Sequence, residues 1–111
     1  MIFYEDLYLS DSIYGKERKI LKKIEKGSFL VNAYFVCLAS NQVDLFDIIS
    51  ARELAQKCYP KSNISVVAIC ESWDEAVSYI SDVVTEALTH MEQIDLKQIY
   101  SGRWEDSLDF S

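Results

Sequence analysis

Residues 64–77 read ISVVAICESWDEAV, and the fold turns on how this stretch divides. The first seven positions carry no charge, are rich in Val and Ile, and are apolar on both alternating faces. A strand of that kind belongs in a sheet covered on both sides. Ser72 and Glu75 then stand three apart with Trp73 and Asp74 between them, the spacing of a capping box, in which hydroxyl and carboxylate each satisfy a backbone N–H that a helix start leaves unpaired. A buried strand running directly into a capped helix is the phrase of a small α/β protein, and it implies a fold rather than an activity.

Downstream, Trp73, Ala76, Val77, Ile80, Val83, Val84, Ala87, Leu88 and Met91 fall on one apolar stripe, with Glu75, Asp82 and Glu86 opposite. This predicts a helix over 73–91 lying on the sheet, with Tyr79 just outside the stripe. After it, 95–104 suits a short helix, and the acidic tail 105–111 has no core-forming pattern and is expected to fray.

Upstream, FLVNAYFVCLAS (29–40) is again apolar on both faces, SNQ (40–42) is a turn signal, and VDLFDII (43–49) brings Asp44 and Asp47, which suit an edge strand. SARE (50–53) repeats the capping device with Ser50 and Glu53 and opens a short helix ending by Tyr59-Pro60. A first helix is predicted over 12–26, where Ile13, Ile20, Leu21 and Ile24 share a narrow face and Gly27 is a good terminator.

These elements make a single α/β (or α+β) domain over residues 1–104, of order α-β-β-α-β-α, with helices packed on a three- to four-stranded mixed sheet. The first two strands form an antiparallel hairpin, and the helix between the second and third makes those two parallel through a right-handed crossover. With the most apolar strand in the middle the spatial order is 2-1-3. The third strand is then an edge with no charge to guard it. Either residues 2–9 (IFYEDLYL) cover it or another chain does, and symmetric dimers being the commonest closed assembly, a homodimer through that strand or the chain termini is expected.

Composition bounds the function. The chain has 111 residues, is 50% apolar and 26% charged, and carries a net charge of -7, within the range of soluble globular domains that need no metal or disulfide staple. No apolar run approaches the roughly 18–20 residues of a membrane span, and Glu5 and Asp6 interrupt the N-terminal apolar stretch where a secretory signal would be uniform. Cys37, Cys58 and Cys70 form no even framework and no CxxC pair, and His90 is the sole histidine, so a cytoplasmic protein with free thiols and no metal or cofactor is expected.

Four features are candidates for chemistry. Residues 16–26 carry six positive and two negative charges, a local +4 against -11 for the rest. Lys16, Lys19, Lys23 and Lys26 form one ridge that could meet phosphates, although the overall charge opposes a polyanion and a solvated helix face explains the pattern. Ser50, Cys70 and Ser72 lie at the C-terminal ends of the second and third strands, where open α/β sheets place ligands; the acids around Cys70 and the lack of a Gly-rich loop weigh against a thiolate or a phosphate site. His90 is explained by its place four residues after Glu86. Tyr4, Tyr8, Tyr14, Tyr100, Trp104 and Phe110 gather toward the chain ends, either as an interface or as sheet cover. No catalytic residue is assigned. The expected function is a non-catalytic protein–protein interaction or regulatory module, in one version an acidic inhibitor or immunity-type protein meeting a basic partner. The alternative is a small-molecule-binding protein or minor enzyme at Ser50, Cys70 and Ser72; nucleic-acid binding through 16–26 ranks behind both.

Overall fold

The computed structural model describes residues 1–39, 44–61 and 63–106; the turn expected at 40–42 and nearly all of the tail, with position 110, lie outside them. In chain order the elements are β1 (Ile2–Leu9), α1 (Glu17–Glu25), β2 (Tyr34–Leu38), β3 (Phe46–Ser50), α2 (Ala51–Leu54), β4 (Ser65–Cys70), α3 (Trp73–His90), α4 (Leu96–Ile99) and β5 (Trp104–Glu105). They build a small mixed α/β domain on a five-stranded sheet of order β3-β2-β4-β1-β5. Among the described residues no helix is long and apolar enough to cross a membrane.

The strand count corrects the expected three or four. Sequence patterning finds β2 and β4 because their side chains are buried in series, and β3 because its half-buried run with Asp47 reads as an edge. Residues 2–9, the fourth strand of the larger expectation, form β1; the fifth is missed because β5 is only two residues long. β2 pairs antiparallel with both β3 and β4, so β3 and β4 run parallel with β2 between them. The uncharged outer side of β4 is covered by β1, in parallel register from Ile2 opposite Ser65 to Leu9 opposite Ile69. The N–H of Ile2 reaches the carbonyl of Ile64 at 2.8 Å, and that of Ser10 reaches Ile69 at 3.1 Å. Cover for β4 therefore comes from within the chain, and among the described residues the outer strands of the sheet are β3 and β5.

Two cores sit on the two faces of the sheet. Under α1 and α2 lie Phe3, Ile20, Ile24, Phe35, Leu54 and Val66. Under α3 and α4 lie Val36, Val67, Ala68, Cys70, Ala76 and Tyr100. Adjacent Val67 and Ala68 share a face because β4 breaks register between Val36 and Cys37 of its partner, a bulge that offers two residues against one.

Two boundaries and one helix face shift. Helix α1 begins at Glu17 instead of residue 12, because Ser10–Lys16 is a pair of turns in which Gly15 takes φ 86°, a conformation that interrupts a right-handed helix. Ile13 is still buried from within those turns. The helix ends as Gly27 predicts: Gly27, at φ 75°, donates to Ile24 and Ser28 donates to Lys23, the paired bonds of a Schellman cap. Strand β2 starts at Tyr34, leaving Phe29 and Leu30 in an exposed segment before it.

The third shift concerns α3. Its sheet-facing line runs through Ala76, Tyr79, Ile80 and Ala87, roughly 50° round from the stripe expected at about 100° per residue. The alanines let the helix approach the sheet closely, and Tyr79 turns inward because its hydroxyl finds a partner in Tyr100. Trp73, Val77 and Leu88 are correspondingly rotated out, at 53%, 44% and 56% exposed.

Candidate functional site

The strand-end trio can be placed directly. Tyr34 of β2 is paired with Ser50 on one side and Cys70 on the other, so the hydroxyl-bearing residue and the thiol-bearing one stand two strand spacings apart, roughly 10 Å. Ser50 is committed to α2: its hydroxyl accepts from the Glu53 N–H and donates to the Glu53 carboxylate, both at 3.2 Å. Ser72 is committed to α3, accepting from the Glu75 N–H at 3.2 Å while the Glu75 carboxylate accepts from the Glu71 N–H at 3.0 Å. Cys70 is fully buried, and burial, with the Glu75 carboxylate as a second cause, pushes its thiol up to about 11. Ser72 thus caps α3 two residues after the buried thiol, Ser50 caps α2 two strands away, and burial favours the neutral form of Cys70.

The basic ridge of α1 is partly assembled. Lys16, Lys19 and Lys23 border one shallow cleft with Leu30, Asn32 and Glu71, while Lys26 sits past them as the C-cap. Glu71 places a negative charge within this ridge, which works against a phosphate backbone there. His90 and Glu86 are exposed and border a separate cleft between α3 and α4, floored by Ala87 and Tyr100.

The surface that stands out is the outer flank of α3. Trp73 leans on Tyr34, ring centroids 6.1 Å apart at 83°, and leaves its other side to solvent. Val77 and Leu88 continue the same exposed flank along the helix. The charged residues of α3 are Asp74, Glu75, Asp82 and Glu86, with His90 at its end and no Lys or Arg anywhere in it. An apolar strip open to solvent on a rigid helix is suited to docking a macromolecule, and the acids of the same helix, on its other side, set the sign of the surrounding charge. Sequence reasoning found these residues and assigned them to the core; the signal it lacked was the inward turn of Tyr79, which displaces the stripe.

The aromatic residues near the chain ends fold back onto the sheet for the most part. Tyr4 meets Tyr100 edge-on at 5.2 Å and Trp104 at 5.1 Å, tying β1, α4 and β5 together. Tyr14, 77% exposed, is the exception. Compared with protein-family models, with curated proteins and with solved structures, the chain matches none.

Proposed function

We propose that this chain is a non-catalytic interaction module of the cytoplasm that binds a basic protein through α3. The observation that carries this reading is the flank of Trp73, Val77 and Leu88, apolar and open to solvent on a helix whose full charges are all negative. A Trp at the head of an apolar strip is the kind of residue that anchors protein interfaces, and a helix whose full charges are all negative favours a positively charged counterpart and speeds its approach. The net charge of -7 acts in the same direction. Free thiols, two of them buried, agree with a reducing compartment.

The same charges argue against a homodimer on this face. A two-fold interface would bring together two chains that each carry a net charge of -7. Self-association is thus the rival occupant of the flank, and the small-molecule reading at Ser50, Cys70 and Ser72 ranks below both because those side chains are engaged or neutral.

The test pairs the wild-type chain with a Val77→Glu/Leu88→Glu variant, both verified as folded by circular dichroism. The expected result is a basic protein retained by the wild type, released by moderate salt and lost by the variant. Retention unchanged by the variant would overturn the reading. So would a wild-type dimer, seen by light scattering, that the two substitutions dissociate, since the flank would then belong to a second copy.

A further inference from the structure

On the opposite flank of α3, between its first three turns and the C-terminal end of β1, lies an open groove of about 330 Å³. Tyr8 from β1 and Tyr79 from α3 form one side, their rings 5.0 Å apart and 31° from parallel. Asp11, Asp74, Glu75 and Asp82 bring carboxylates to it from both walls, and no basic side chain lines it. Carboxylates alone make no site, but Ser10 supplies a second observation. Its backbone is fully used: the N–H donates to Ile69, and the carbonyl accepts from Ile13 and Tyr14. The residue is 3% exposed, lines the groove, and its hydroxyl has no hydrogen-bond partner among the described residues. Buried hydroxyls are satisfied as a rule, so one left unpaired beside an opening points to a ligand that completes it.

We propose that the groove seats an arginine side chain of the basic partner, its guanidinium lying against the Tyr8 ring and bonded by the Ser10 hydroxyl and the surrounding carboxylates. This rests on the interaction reading above and adds the chemical group that the partner presents. The geometry selects that group. Tyr8 is about half exposed, so one ring edge and face remain available to a planar cation, which stacks on aromatic rings better than an ammonium does. Asp11 and Asp82 supply charge from the two walls, and a guanidinium has five N–H donors with which to reach both a carboxylate and a serine oxygen. A metal ion fits poorly: among the described residues no group of three or more His, Cys, Asp or Glu is close enough to hold one. Burial first, then Cys70, Asp11, Glu75 and Asp82, pushes the Tyr8 phenol up, and the carboxylates among those causes are the ones that line the groove.

The test titrates the whole chain with N-acetyl-arginine amide and with the neutral isostere N-acetyl-citrulline amide at low salt, following the ring resonances of Tyr8 and Tyr79 by NMR. Arginine amide is expected to shift both saturably and citrulline amide to leave them in place. Asp11→Asn/Asp82→Asn should weaken the arginine response by about tenfold, the scale of a lost charged contact. Ser10→Ala should weaken it several-fold without lowering the thermal midpoint, because the hydroxyl it removes has no partner to lose within the fold. An equal response to citrulline, an unchanged affinity in the Asn double variant, or shifts confined to residues outside the groove would overturn the proposal. The Val77→Glu/Leu88→Glu variant separates the two readings. If a basic protein needs the flank but arginine amide leaves Tyr8 unmoved, the groove proposal fails alone. If arginine amide binds as described and no basic protein depends on the flank, the interaction reading fails alone.

Discussion

The hydroxyl of Tyr79 lies 2.7 Å from the hydroxyl of Tyr100, a hydrogen bond joining the middle of α3 to the end of α4 over the sheet. It sets the rotation of α3, and through that decides which apolar side chains are buried and which are offered to solvent. Tyr100 is nearly buried, so removing either hydroxyl strands the other. Tyr100→Phe and Tyr79→Phe should each cost about 1–2 kcal/mol in urea unfolding, and the double variant clearly less than the sum. Strict additivity would mean that the two hydroxyls are satisfied independently.

The helix faces can be separated by stability. Ala76→Asp and Ala87→Asp place a charge against the sheet and should destabilise by several kcal/mol. Leu88→Ser, on the exposed flank, should change stability by no more than about 1 kcal/mol. Equal costs at Ala87 and Leu88 would restore the unrotated stripe and remove the docking flank.

The thiols give a pH signature. Burial, then Asp47, pushes Cys37 up to about 12, and burial, then Glu75, pushes Cys70 up to about 11. In the unfolded chain a thiol titrates near about 8.5. The folded values are raised, so the unfolded state loses these protons first as pH climbs. The stabilising contribution is therefore complete below about pH 8.5 and lost progressively as pH rises through the folded values. Denaturation midpoints should hold across neutral pH and drop on the alkaline side, and Cys37→Ala/Cys70→Ala should flatten that drop from a lower starting stability. In native buffer a thiol reagent should label exposed Cys58 quickly and the two buried thiols slowly; fast labelling of Cys70 would revive a chemical role at the strand ends.

What was legible in the sequence followed from how strictly burial constrains each segment. Strands β2 and β4 are covered on both faces, so nearly every residue is apolar and their existence, orientation and the placement of β3 beside β2 could be read directly. Ser50, Ser72 and Gly27 announced their caps because each does a local job with few substitutes. The rotation of α3 was not legible: it depends on Tyr100, twenty-one positions away from Tyr79, and hydropathy cannot see that bond. The groove was hidden for a similar reason. Asp82 and Glu75 were visible as an exposed acidic face, but Ser10, Asp11 and Tyr8 join them only through the parallel pairing of β1 with β4.

That pairing supports the most direct test of the fold. β1 supplies the parallel partner of β4, and among the described residues it is also the sole strand to which β5 is bonded, with Phe3 opposite Glu105 and Tyr4 opposite Trp104. Phe3 enters one core while Tyr4 packs on Tyr100 and Trp104 in the other. Deleting residues 1–9 therefore removes two strands from the sheet and opens the whole outer side of β4, whose Val66–Cys70 segment is fully buried and uncharged. An unguarded apolar edge of that kind recruits other chains. The deleted protein should lose its cooperative unfolding transition and scatter light as aggregates at micromolar concentration. Glu5→Lys, which touches the same strand only at its exposed edge and removes the 3.7 Å contact with Arg103, should stay within about 0.5–1 kcal/mol of wild type. A deleted chain that remained monodisperse and unfolded at the wild-type midpoint would show that β1 is not part of the sheet, and with it would go the groove that β1 and α3 build together.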